Sequence, residues 1–173
     1  MKRLFADIGL ITGKDLKIEL RSRVLTNQVA PFALMILVLF GIALDADQQS
    51  LRNFASGLFW ISVLLCALMA ISRSMTIERD DEALVGLNLS GVDPIAIFLG
   101  KTCAIAIQLL VLEIFLGVGI ILLYRSEVED VWLLVATGLF ACIAVSALGT
   151  IFGFLASGLG VRETLLPLSL IHI

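Results

Sequence analysis

Four apolar blocks, each long enough to cross a bilayer, constrain this chain more than any other feature. They run from about Val24 to Leu44, Phe54 to Ile71, Thr102 to Tyr124 and Val131 to Leu159. A membrane helix needs about 20 predominantly apolar residues. Composition agrees, since 60% of the 173 residues are hydrophobic, whereas a soluble domain is roughly half apolar. The expected fold is all-α, a polytopic membrane helical bundle. A short turn at Gly160–Glu163 and a new apolar stretch from Leu165 add the start of a fifth span to four complete ones.

The first 23 residues are polar and basic. They are not expected to be a signal peptide, because the apolar run is short, Asp7 interrupts it and no small-residue cleavage site follows. Thr12 with Asp15 three positions on resembles a capping box. Leu16, Leu20 and Val24 then recur at helical spacing, with Lys14, Lys17, Arg21 and Arg23 elsewhere. The pattern predicts an amphipathic helix over 12–23, either lying on the membrane surface or simply solvated.

The basic residues give the bundle a direction. With the N-terminus inside, the inner segments hold Lys2, Arg3, Lys14, Lys17, Arg21, Arg23, Arg73, Arg79, Lys101 and Arg162. The outer loops hold only Arg52 and Arg125, so ten of the 12 basic residues lie inside. That asymmetry predicts a cytoplasmic N-terminus and a cytoplasmic connection over 72–101. No basic tract of the kind that binds nucleic acid is present.

The connection, SRSMTIERDDEALVGLNLSGVDPIAIFLGK, is the most informative stretch. A dense charge cluster, Glu78, Arg79, Asp80, Asp81 and Glu82, precedes an apolar-biased run that includes Leu84 and Leu87. Charged on one side and apolar on the other, a short helix here suits docking in a partner's groove; an ordinary solvated loop is the alternative. Asp93 followed by Pro94 reads as an N-cap and first helical residue. Gly100-Lys101-Thr102 ends like a phosphate-binding loop, but the first glycine is missing and a helix, not a strand, surrounds it. Gly13-Lys14 fails too, because Asp15 replaces the Ser or Thr.

Within the spans, Glu113 is the conspicuous ionisable residue. It costs a few kcal/mol on insertion scales and normally faces the bundle interior or a wet cavity. It is read either as a polar site on a substrate path or subunit contact, or as a structural glutamate. Gln108 is five residues away and on another face, so a partner must come from another helix or chain. Gly149 and Gly153 form a GxxxG that Ser157 extends, a packing face for a helix of this chain or a second copy. The cysteines, Cys66, Cys103 and Cys142, lie one per block with no CxxC spacing. No catalytic set, cofactor-binding motif or metal-ligand cluster is visible, so an enzyme is not expected.

The order of these pieces resembles the CcmB family, the haem exporter B permeases of cytochrome c maturation. The resemblance rests on KDLKIELRSR, then FASGLFWISVLL at the second span, then Ser72–Lys101, then a span carrying Glu113. It covers the chain to about Pro167. It implies an ABC-2-type permease of six spans in the bacterial inner membrane, within a homodimer or heteromeric complex. It further implies a separate ATPase subunit, CcmA, that binds the ATP, with CcmC and CcmD as companions and haem-loaded CcmE as the species released. Haem would be transported or handled without being bound as a cofactor. Carried onto this chain, the ATPase-coupling role falls to about Thr76–Leu89. Other ABC-2 exporters of lipid, glycan or drug, or a membrane assembly scaffold with no ATPase partner, are the competing readings. The chain departs from the family in lacking spans five and six. Leu168–Ile173 resembles a translated sequencing adapter and is expected to be foreign, so His172 is not offered as a haem ligand.

Overall fold

The computed structural model describes residues 2–23, 25–43, 48–80, 91–125 and 130–171. Side chains are described for these except at 2, 25, 26, 48, 76–80 and 156–171. Among the described residues every regular element is helical: α1 Lys2–Ser22, a π-helical turn Leu25–Val29, α2 Ala30–Ala43, α3 Gln48–Asp80, α4 Pro94–Tyr124 and α5 Val131–Ile171. The fold is an all-α membrane bundle.

Helix α1 starts well before the expected cap at Thr12. The Thr12 hydroxyl instead donates to the carbonyl oxygen of Gly100 at 3.0 Å, so it serves a long-range contact rather than a helix end. At 3.6 residues per turn, Leu4, Ile8, Ile11 and Asp15 share one face, and that face, with Ile11 buried, lies on the start of α4. Phe5, Leu16 and Leu20 form a second apolar flank, on which Leu20 is 79% exposed. Arg3, Lys14, Lys17 and Arg21 form a third, basic sector. The expected stripe of Leu16, Leu20 and Val24 is therefore not the face that packs on protein; Val24 itself lies outside the described residues.

The first expected span is broken. Arg23 closes α1 in the left-handed region at φ 53, and the five-residue π turn leads into an α2 of only 14 residues. Fourteen residues rise about 21 Å, short of a hydrocarbon core of about 30 Å. Pro31 supplies the cause. It has no N–H to give Asn27, and its ring crowds that carbonyl, so the preceding turn widens. Among the described residues, three helices are long and apolar enough to cross a membrane: Gln49–Met75, Pro94–Tyr124 and Val131–Leu155. A fourth crossing is reached only by counting α1 and α2, bent by 53°, as one span.

The other spans run longer than the apolar blocks alone indicate. Helix α3 continues past Met75 to Asp80. Helix α4 begins at Pro94, with the Asp93 carboxylate accepting from Ile95 N at 2.9 Å, and Arg125 caps its end at φ 49. Helix α5 runs through Gly160–Glu163 and onward to Ile171, where a turn and a fifth helix were expected. One glycine costs a helix only about 1 kcal/mol, and Val, Arg and Glu propagate it.

Helix α4 touches all four other helices. The core joins Ala33 and Leu37 of α2, Ala55, Phe59, Cys66 and Ala67 of α3, and Leu109, Leu112 and Leu116 of α4. At one end the Tyr124 hydroxyl donates to the Leu37 carbonyl at 2.6 Å. Helix α5 lies on the side of this core and meets α3 through its small residues. A Cβ on Gly149 would press into Ile71, and one on Gly153 into Met75. The GxxxG pair thus packs within the chain. Replacing Gly149 with Leu is expected to cost about 1–3 kcal/mol by overpacking and to lower the melting temperature in detergent. Gly57→Ala, where a Cβ meets nothing within 4 Å, is expected to leave it unchanged or slightly raised.

Candidate functional site

The polar chemistry of the bundle concentrates in two places on α4. The first is its N-terminal end. Lys101 is buried, its side chain only 1% exposed, and its ammonium donates to Asp15 Oδ2 at 3.3 Å. Lys14 reaches the other oxygen of the same carboxylate at 3.1 Å. One turn away the backbones close up: a Cβ at Gly100 would sit 2.8 Å from Ile11 Cβ and 3.2 Å from the Ile8 carbonyl oxygen. Only glycine lets α1 approach this closely. The two phosphate-loop lookalikes, Gly13-Lys14-Asp15 and Gly100-Lys101-Thr102, are both helical and form the two halves of this one contact.

The second place is mid-span. Glu113 is buried and points at α5, where Gly138 makes room: a Cβ there would lie 2.5 Å from Glu113 Oε2. One turn on, the Cys142 side chain is hydrogen-bonded to the carboxyl. The other oxygen, Oε1, is buried with no hydrogen-bond partner among the described residues. The partner of Glu113 thus comes from another helix. A lone carboxyl in apolar surroundings can accept or donate a hydrogen bond. No group of three His, Cys, Asp or Glu side chains that could hold a metal occurs among the described residues.

The remaining expected site residues fall at the edge of what is described. Glu78, Arg79 and Asp80 lie in the last turn of α3, but their side chains are outside the described residues, as are Asp81, Glu82, Leu84 and Leu87 altogether. Ser157 lies in α5 with its side chain likewise outside them. What the sequence reading missed is the pair Asp15–Lys101 and the niche of Gly138 and Cys142. Lys101 carried a signal: a cation at the threshold of an apolar block needs an anion nearby. Gly138 carried none, because nothing local links it to Glu113.

The family described as CcmB protein matches residues 7–173. Proteins named Heme exporter protein B, from Escherichia coli strain K12, Escherichia coli O157:H7 and Shigella flexneri, are each 30% identical to the chain over 73 residues. That stretch is 42% of this chain and 33% of each relative, so the chain spans about a third of the length of the curated relatives it matches. No solved structure matches it.

The contact between α1 and α4 yields a direct test. Asp15→Asn removes the carboxylate facing a buried ammonium, a change that costs about 3–5 kcal/mol. The variant is expected to melt lower in detergent and to be cut faster by trypsin at Arg21 and Arg23. The exchange Asp15→Lys with Lys101→Asp is expected to recover most of the loss; equal damage in single and double variants contradicts a pairwise contact.

Proposed function

The chain belongs to the CcmB family, and from that premise we propose that it is the membrane permease subunit of an ABC exporter serving cytochrome c biogenesis. The observation that carries the proposal is the family match, which takes in all of the chain from residue 7. Its relatives' name, Heme exporter protein B, supplies the cargo: haem is transported, or handled during release of haem-loaded CcmE. The subunit binds no nucleotide and performs no chemistry of its own. ATP is hydrolysed by a separate subunit, CcmA, and CcmC and CcmD complete the complex. The protein sits in the bacterial inner membrane with its N-terminus in the cytoplasm.

In this reading the drive is mechanical. Closure of the ATPase pushes on Thr76–Leu89, and the push reaches the spans through the helices that flank this segment. Two features support that route. Helix α3 extends to Asp80 and α4 begins at Pro94, so both run beyond the apolar blocks toward the segment. Helix α1 is fastened to α4 at Gly100 and Lys101, seven and eight residues from the Asp93 cap. A displacement entering at 81–93 would therefore reach α1 as well as α4.

The acidic residues Asp80, Asp81 and Glu82 are the proposed contact. Reversing all three to Lys in the full-length protein, expressed with its ATPase, is expected to cut co-purified ATPase by about tenfold or more, since like-charge contacts across an interface cost several kcal/mol. The yield of c-type cytochrome falls with it. Unchanged co-purification and unchanged yield would refute the coupling role.

A further inference from the structure

Helix α1 carries two exposed sectors outside its contact with α4. At 3.6 residues per turn, Lys14, Lys17 and Arg21 fall within about 60° of one another, and Arg3 lies three turns earlier on the same line. Arg3, Lys17 and Arg21 are exposed, and the Lys14 side chain is 39% exposed beside Asp15. Phe5, Leu16 and Leu20 form the apolar flank next to them, with Phe5 69% and Leu20 79% exposed. The acidic residues of α1 lie elsewhere. Asp15 is taken up by Lys101 and Lys14, Glu19 follows it one turn on, and only Asp7 borders the basic sector.

The height of this helix in the bundle selects what covers the two sectors. Thr12 and Asp15, in the middle of α1, bond to Gly100 and Lys101, the last residues before the apolar block of α4 at Thr102. The middle of α1 therefore lies where the hydrocarbon begins. Helix α1 departs from the line of α2 by 53°, so it runs obliquely at that level. An apolar flank there meets acyl chains, and a basic sector beside it meets headgroups. Interfacial helices bind by this combination, buried apolar area plus attraction to anionic lipid. A protein groove would gain little on the flank, because the acyl chains it displaces are as apolar as the groove.

We propose that α1 is a binding surface for anionic phospholipid, with Lys14, Lys17 and Arg21 on the headgroup phosphates and Phe5, Leu16 and Leu20 at the acyl boundary. The long Lys and Arg stems lie along the apolar flank and lift their charges to the phosphates. Anionic lipid is favoured over zwitterionic lipid because each Lys or Arg near an anionic surface strengthens binding by about fivefold. The surface stands on α1 and α4 alone and does not rest on the permease reading.

The test uses the full chain in nanodiscs of phosphatidylcholine with phosphatidylglycerol as the minor lipid. Trp60→Phe and Trp132→Phe remove both native tryptophans, and Leu20→Trp places a reporter on the apolar flank. Two discs of identical composition carry brominated acyl chains, which quench tryptophan on contact, either on the phosphatidylglycerol or on an equal number of phosphatidylcholine molecules. Brominated phosphatidylglycerol is expected to show an association with the reporter about fivefold stronger, or more, than brominated phosphatidylcholine. Adding Lys14→Gln, Lys17→Gln and Arg21→Gln is expected to bring the two within about twofold while helical content is unchanged; Lys17→Arg with Arg21→Lys is expected to keep the preference. With Leu20 restored and Trp132 kept as the reporter, next in sequence to the acidic run Glu127–Asp130, the two lipids are expected to quench equally. No quenching by either lipid at residue 20, as a solvated helix gives, would overturn the proposal. So would equal quenching by both, a preference that survives the three glutamines, or the same preference at Trp132.

Discussion

Lipid offers no hydrogen bonds, and three polar side chains that α4 buries, Lys101, Glu113 and Tyr124, turn to other helices. Lys101 finds Asp15 of α1. Glu113 finds the Cys142 and Gly138 niche of α5. Tyr124 finds a backbone carbonyl of α2. These three contacts, spread from one end of α4 to the other, recruit three different helices. Smaller polar groups need no such help. Ser62 and Thr150 are buried but turn their hydroxyls back onto the carbonyls of Leu58 and Ser146, one turn earlier in their own helices.

Apolar packing then fixes distances that the polar contacts only orient. Helix–helix association in a membrane draws on close van der Waals contact, because the lipid is as apolar as the side chains. Glycines sit where backbones must come nearest: Gly100 against Ile11, Gly119 against Leu37, Gly149 against Ile71. Each brings a different helix pair together. The outward face of α5, with Leu133, Phe140 and Phe152 exposed, is chemically suited to lipid. The start of α4 is tied to α1 at Gly100 and Lys101, while the α1–α2 junction is broken by a π turn.

Much of this was legible in the sequence, and the reason is periodicity and capping. The blocks around Phe54–Ile71, Thr102–Tyr124 and Val131–Leu159 announce the long helices by length alone. Asp93–Pro94 announces the start of α4 by cap chemistry. The GxxxG at Gly149 and Gly153 announces a close contact but not its partner, since α3 and a second copy are equivalent to a local pattern. The failures are of two kinds. Thr12 reads as a cap because its neighbourhood fits one, but tertiary contact with Gly100 decides its role. Asp15 and Lys101 are 86 residues apart, and no window that reads helices spans that distance. Pro31 was visible, but its effect, a π turn and a shortened α2, depends on how the chain packs around it.

Helix α1 and the start of α4 share one end of the bundle, and the end of α4 meets α2 at the other. Membrane-impermeant maleimide labelling of single cysteines tests it most directly, in a background where Cys66, Cys103 and Cys142 are replaced. Lys17→Cys and Val92→Cys are predicted to label only when the cytoplasmic face is accessible, in inverted vesicles. Asn53→Cys and Arg125→Cys are predicted to label only in intact spheroplasts. Labelling of Lys17→Cys and Val92→Cys from opposite faces would contradict the contact on which the whole arrangement depends.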